Sequence, residues 1–127
     1  MKIRAIVFFL VVVFAACTSN KSSSSNADAT INHLVFLQLK EQMTSADSLF
    51  FIEQINRLKN IDTAIEFEVS YRKSTGDKRA LADFDFIIST KHKDSESLKL
   101  YKTNPVHLEV ISLTKKFMAG PPKTFDY

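Results

Sequence analysis

The run Tyr101-Lys102-Thr103-Asn104-Pro105-Val106-His107 sets a phenol and an imidazole on either side of a helix start. Asn104 is a strong N-cap residue, and Pro105 suits the first helical position, where its missing N–H would go unpaired anyway. His107 then falls in the first turn, near the positive end of a helix dipole. That position favours a neutral imidazole, which can accept a proton. The run therefore fixes a local structure and points to chemistry without naming a substrate.

Working outward, Asp94 caps a short helix through Tyr101. After the Asn104-Pro105 break, Val106, Val110, Leu113 and Phe117 make one apolar stripe, and His107, Ile111 and Met118 make its neighbour. Gly120-Pro121-Pro122 ends the helix, and Lys123 to Tyr127 reads as a closing edge strand. Phe84, Phe86 and Ile88 alternate with Asp85, Ile87 and Ser89 in a strand. An earlier strand alternates Ile65, Phe67, Val69 and Tyr71 with Glu66, Glu68, Ser70 and Arg72. Between these two strands, Lys73 to Arg79 is a polar turn containing Gly76.

The first strand is read over Ile31 to Leu39, with Ile31, His33, Val35, Leu37 and Leu39 on one face and Leu34 and Phe36 on the other. Apolar residues on both faces mean that both are covered. Thr44-Ser45-Ala46-Asp47 opens a helix whose core stripe is Phe51, Ile55 and Leu58. The order β-α-β-β-α-β is that of the ferredoxin-like split pattern, an α+β fold with an antiparallel four-stranded sheet. Helices on one face leave the other needing a cover, and a second copy packed sheet to sheet supplies one.

The chain has 127 residues, enough for one small domain. Its formal net charge is +3, but Lys2 and Arg4 precede a short apolar run, Ile6 to Phe14, and leave with it if that run is cleaved. The remainder carries 15 basic against 14 acidic side chains. With no basic stripe interleaved with aromatics, nucleic acid is not an expected partner. With Ala15 and Ala16 the apolar run reaches eleven residues, too few for a bilayer span, which needs roughly 20.

The N-terminal flanks match a secretory signal peptide. The lone cysteine in Ala15-Ala16-Cys17 resembles the lipobox of bacterial lipoproteins, with Phe14 where that pattern prefers Leu. The resemblance implies removal of residues 1–16 and lipidation of Cys17. It also implies a cell-envelope location in a bacterium, with the protein anchored to a membrane and facing the periplasm or the exterior. The Ser-rich stretch Thr18 to Thr30 cannot bury a core and reads as a tether, at most about 43 Å long when extended. The expected organisation is a leader (1–16), a lipidated Cys17 with its tether (17–30), and one domain (31–127).

Over residues 31–127 the chain resembles the stress-responsive A/B barrel domain family. The resemblance rests on His33 within Ile31-Asn32-His33-Leu34-Val35-Phe36, the Phe84-Asp85 pair, Tyr101 with Pro105 and His107, and Phe125-Asp126-Tyr127. It implies a homodimeric α+β barrel with a pocket between sheet and helices in each subunit. Ser70 departs from the Gly that members usually carry near the end of the second strand. Plant polyketide cyclases of the same superfamily are similar at the Tyr-x-x-x-Pro-x-His segment. Carried over, His107 is a general base, Tyr101 orients the substrate and His33 is a pocket partner. The third-strand histidine of those cyclases is replaced by Phe86, so the cyclase set is incomplete.

Each of these residues also has a plain structural reading. His107 can fix the helix start, and His33 can be a satisfied core histidine. Tyr101 can complete a core with a wet hydroxyl. Val35, Phe36, Phe84 and Phe86 are expected to line a pocket for an apolar or aromatic molecule, or else to be ordinary core. His92, between Lys91 and Lys93, reads as solvated. His33 and His107 with Asp85 or Asp126 match no compact metal motif, so neither a metal nor a cofactor is expected.

Overall fold

A computed structural model describes residues 30–127. The expected leader, Cys17 and the expected tether through residue 29 lie outside the described residues. Among those described, no helix is long and apolar enough to cross a membrane.

The elements run β1 (Ile31–Leu37), α1 (Ser45–Arg57), a 3-10 turn (Leu58–Asn60), β2 (Glu66–Tyr71), β3 (Phe86–His92), α2 (Ser95–Thr103), α3 (Pro105–Thr114), a second 3-10 turn (Lys115–Phe117) and β4 (Lys123–Asp126). The four strands form one antiparallel sheet in the order β2-β3-β1-β4. This is the ferredoxin-like arrangement that the sequence predicts, with its second helical segment split in two.

The split is local chemistry. Asn104 holds an extended backbone (φ −61°, ψ 134°) and its side-chain oxygen accepts the Val106 N–H at 2.9 Å. One residue thus closes α2 and opens α3. α1 starts on a reciprocal capping box, with the Asp47 N–H donating to the Thr44 hydroxyl and the Thr44 N–H donating to the Asp47 carboxylate.

The core lies between the helices and one face of the sheet. Phe51, Ile55 and Leu58 from the first helical segment meet Leu37, Phe86 and Ile88 from the sheet. Tyr101, Val110 and Phe117 close the cluster. Phe51 is fully buried and makes edge contacts with Phe86 (5.5 Å between centroids) and Phe117 (6.0 Å).

Two strand boundaries differ from expectation. β1 stops at Leu37 rather than Leu39, because the Asp85 carboxylate accepts the Leu39 N–H at 2.6 Å and takes it out of the ladder. Leu39 then makes only an isolated bridge to Met118. β3 starts at Phe86, two residues later than read, and runs on to His92. Phe86, Ile88, Thr90 and His92 all point to the helix side and are buried. His92 is 0 % exposed, which overturns its reading as solvated. Strand parity aims it inward, whatever the charge of its neighbours.

Candidate functional site

A cavity of about 420 Å³ opens between the sheet and the helices. Its floor is His33 and Val35 of β1, Ile88 and Thr90 of β3, and Thr124 of β4. Its walls include Phe51 and Ile55 of α1, Tyr101 of α2, and His107, Val110 and Thr114 of α3. The lining is mostly apolar, with a few polar groups converging on one end, as in sites for small molecules.

The polar end follows from strand register. His33 pairs with Asp126 across β1 and β4, so their side chains share a face. The His33 ring donates from Nδ1 to the Asp126 carboxylate at 2.5 Å. A carboxylate only accepts, so the Nδ1 that faces it carries a hydrogen. His33 is 3 % exposed while Asp126 reaches solvent.

Tyr101 lies between two imidazoles, His92 at 5.0 Å and His107 at 4.8 Å between ring centroids, each ring tilted about 60° to the phenol. Burial pushes its phenol up to about 12, so it stays protonated at any physiological pH. His107 occupies the third position of α3, and its Nδ1 is buried without a hydrogen-bond partner. Burial holds this imidazole below its ordinary value of 6.5; the Lys102 carbonyl opposes the shift, and the His33 and Lys102 charges add to it. The positive end of α3 acts in the same direction. His107 is therefore a neutral group with an unsatisfied nitrogen, next to a phenol that keeps its proton.

His92 packs behind the polar end. Its Nδ1 lies 3.1 Å from the Thr63 carbonyl and its Nε2 lies 2.9 Å from the Thr90 hydroxyl. Burial lowers its pKa as well, against the opposing pull of the Thr63 carbonyl.

The four residues expected to line a ligand pocket do not stay together. Val35 lines the cavity. Phe36 sits on the opposite face of β1, in an edge contact with Phe84 (5.2 Å). Phe86 is 1 % exposed and packs on Phe51 and Tyr71 as core. Successive strand residues face opposite ways, so Val35 and Phe36 cannot both look into one cavity. Sequence reasoning missed Thr90 and His92. The period-2 pattern from Phe86 onward carried the signal, hidden by the polar residues around it. Among the described residues, no group of three His, Cys, Asp or Glu side chains is placed to hold a metal. Asp85, the other metal candidate, is engaged instead by the Leu39 amide.

The two buried histidines make stability depend on pH. Unfolded imidazoles take up protons near 6.5, whereas folded His92 and His107 resist protonation until lower pH. The unfolded state therefore binds more protons below 6.5. The stabilisation is complete above 6.5 and is lost as pH falls through the lowered folded values. The capping carboxylates Asp47 and Asp94 sit below their ordinary 3.8, held there chiefly by the Thr44 hydroxyl and the Ser97 amide, so they titrate outside this window. The urea midpoint is expected to drop between pH 7 and pH 5. A midpoint constant over that range would contradict the burial of these rings.

The family model for the stress responsive A/B barrel domain matches residues 31–123. Among solved structures, the chain is similar to a Dabb family protein with a ferredoxin-like fold from Mesorhizobium loti (21 % identity, 77 % of this chain and 94 % of that one, TM-score 0.64). It is also similar to a hydroxynitrile lyase from Passiflora edulis (15 % identity, 77 % and 91 % coverage, TM-score 0.66). A third is a dimeric ferredoxin-like protein of unknown function from Bacteroides fragilis (14 % identity, 77 % and 94 % coverage, TM-score 0.60). At these identities the solved structures speak for the fold alone. No curated protein matches the chain.

Proposed function

We propose, on the premise that the chain belongs to the stress responsive A/B barrel domain family, that this domain is a homodimeric binding module for a small, partly apolar or aromatic molecule. The observation that carries this is the cavity of about 420 Å³, apolar along its walls, with His33, Thr90, Tyr101 and His107 at one end. The dimer reading draws on the open sheet face, where Leu34, Phe36 and Ile87 are only half covered and Phe125 is exposed. The Bacteroides fragilis relative is itself dimeric. The organisation into a leader (1–16), a lipidated Cys17 with its tether (17–30) and a domain (31–127) belongs to the same proposal. It would hold the module at a bacterial membrane, facing the periplasm or the exterior.

An enzymatic reading rests on a separate observation, the partnerless Nδ1 of His107 beside Tyr101. A neutral buried imidazole is a general base at neutral pH, and a phenol that keeps its proton is a donor that can orient a carbonyl or hydroxyl. The Passiflora edulis relative is a lyase on the same fold. A cyclase-like reaction belongs to this reading: the resemblance is incomplete at Phe86, a core residue, while β3 brings a different buried histidine, His92, to 5.0 Å from Tyr101. A monooxygenase-like reaction would draw on the same base.

The test is a thermal-shift screen of the purified chain against apolar and aromatic compounds, with Val110→Trp as a variant that fills the cavity. A ligand present at 100 times its Kd stabilises the folded state by about 2.7 kcal/mol. Hits that disappear in Val110→Trp support the binding module. An absence of hits sinks both ligand readings and leaves a structural dimer module. Turnover of a hit by wild type that is lost in a folded His107→Ala variant selects the enzyme.

A further inference from the structure

We infer that the cavity selects ligands that bring their own hydrogen-bond donors, hydroxyl or N–H groups, and that His92 sets this preference by fixing the hydroxyl of Thr90. The inference rests on the reading of the cavity as a ligand site.

The argument is an account of hydrogens. The Thr63 carbonyl can only accept, so the His92 nitrogen facing it, Nδ1, carries the ring hydrogen. In the neutral ring Nε2 is then a lone pair, and the Thr90 hydroxyl 2.9 Å away must donate to it. Thr90 lines the cavity, but its hydrogen is already used inside the protein. Only its oxygen lone pairs remain for a ligand.

The same holds at a further point on the lining. The Thr114 hydroxyl donates back to the Val110 carbonyl at 2.7 Å within α3. His33 likewise gives its Nδ1 hydrogen to Asp126, away from the cavity. Thr90 and Thr114 thus stand on two elements, β3 and α3, and each has its only donor turned away. Against them the lining offers the Tyr101 phenol and Lys102 as donors. A ligand with acceptors only would leave both of these buried acceptors without hydrogens. A site built around such groups discriminates strongly against the partner that cannot satisfy them.

His92 acts here as a positioning residue. It touches the Thr90 hydroxyl, and its own exposure is nil. Replacing it with an apolar ring frees the Thr90 hydrogen to turn toward the cavity.

The probes are 4-propylphenol, its methyl ether and propylbenzene, whose apolar bodies match and whose polar groups differ. Binding is measured by calorimetry on the full-length chain near neutral pH. We expect the phenol to bind at least tenfold more tightly than either of the others. In Thr90→Val the preference should fall below threefold while propylbenzene affinity is unchanged, and Thr90→Ser should keep the preference. In His92→Phe the gap between phenol and ether should narrow, again with propylbenzene unchanged, a pattern that simple loosening of the fold would not give. Equal binding of all three probes to wild type overturns the inference and leaves the ligand-binding reading standing. Binding of none overturns both. A tenfold preference that persists in a folded His92→Phe variant removes the role of His92. The wild-type comparison needs no variant, so it decides the matter even if a substitution fails to fold.

Discussion

Phe51→Ala is expected to lower the unfolding free energy by about 3–5 kcal/mol, a large share of the roughly 5–15 kcal/mol that holds a small domain folded. Phe51 is 0 % exposed and lies at the junction of two aromatic edge contacts, with Phe86 on the sheet and Phe117 beyond α3. It also borders the cavity. Truncation therefore removes packing on three sides, and the space created merges with an existing hollow instead of collapsing. Cost rises with the volume that stays empty, which puts this substitution toward the upper end of the range. Urea titration at pH 7 measures it. A loss under about 1 kcal/mol would mean that the core is not organised around this ring.

The second large effect concerns the open sheet face. Ile87→Asp should turn the proposed dimer into a monomer. Ile87 lies opposite Phe36 in the register, and Leu34 follows two residues before Phe36 on the same face. Phe125 sits opposite Leu34 from β4. A two-fold interface brings the same patch of both copies together, so one substitution places two carboxylates in the seam. An unpaired charge buried this way costs about 3–5 kcal/mol, more than a hundredfold in the dimer dissociation constant. Light scattering after gel filtration reads the mass. A wild-type monomer, or an Ile87→Asp dimer of unchanged mass, would rule out sheet-to-sheet pairing.

Much of this fold was legible because its signals are local. Asn104-Pro105 announces a helix start in two residues, and Thr44 with Asp47 announces another. The stripe Phe51, Ile55, Leu58 has one period and one face to bury. The site was only half legible, because it is made by pairing across the sheet. His33 and Asp126 become partners through the β1–β4 register, which no local pattern encodes. His92 was misread because two flanking lysines outweighed the strand parity that Phe86, Ile88 and Thr90 had already set. Phe36 and Phe84 have the aromatic character of a pocket lining but stand on the wrong face. Both lie across the sheet from the cavity that Val35 lines.

The pairing of His33 with Asp126 also has a consequence for the order of events in synthesis. The two residues are 93 positions apart, and the strand carrying the carboxylate is the last of the described elements to be made. A nascent chain that has reached His107 already holds β1, β3 and most of the cavity wall, yet its first imidazole still has no carboxylate to orient it. Contacts of such long range form late and slow the closure of a sheet. The chemistry of the cavity is thus one of the last properties each molecule acquires. A chain interrupted before β4 would lack a neighbour of β1, Thr124 from the cavity floor and the group that sets its first histidine.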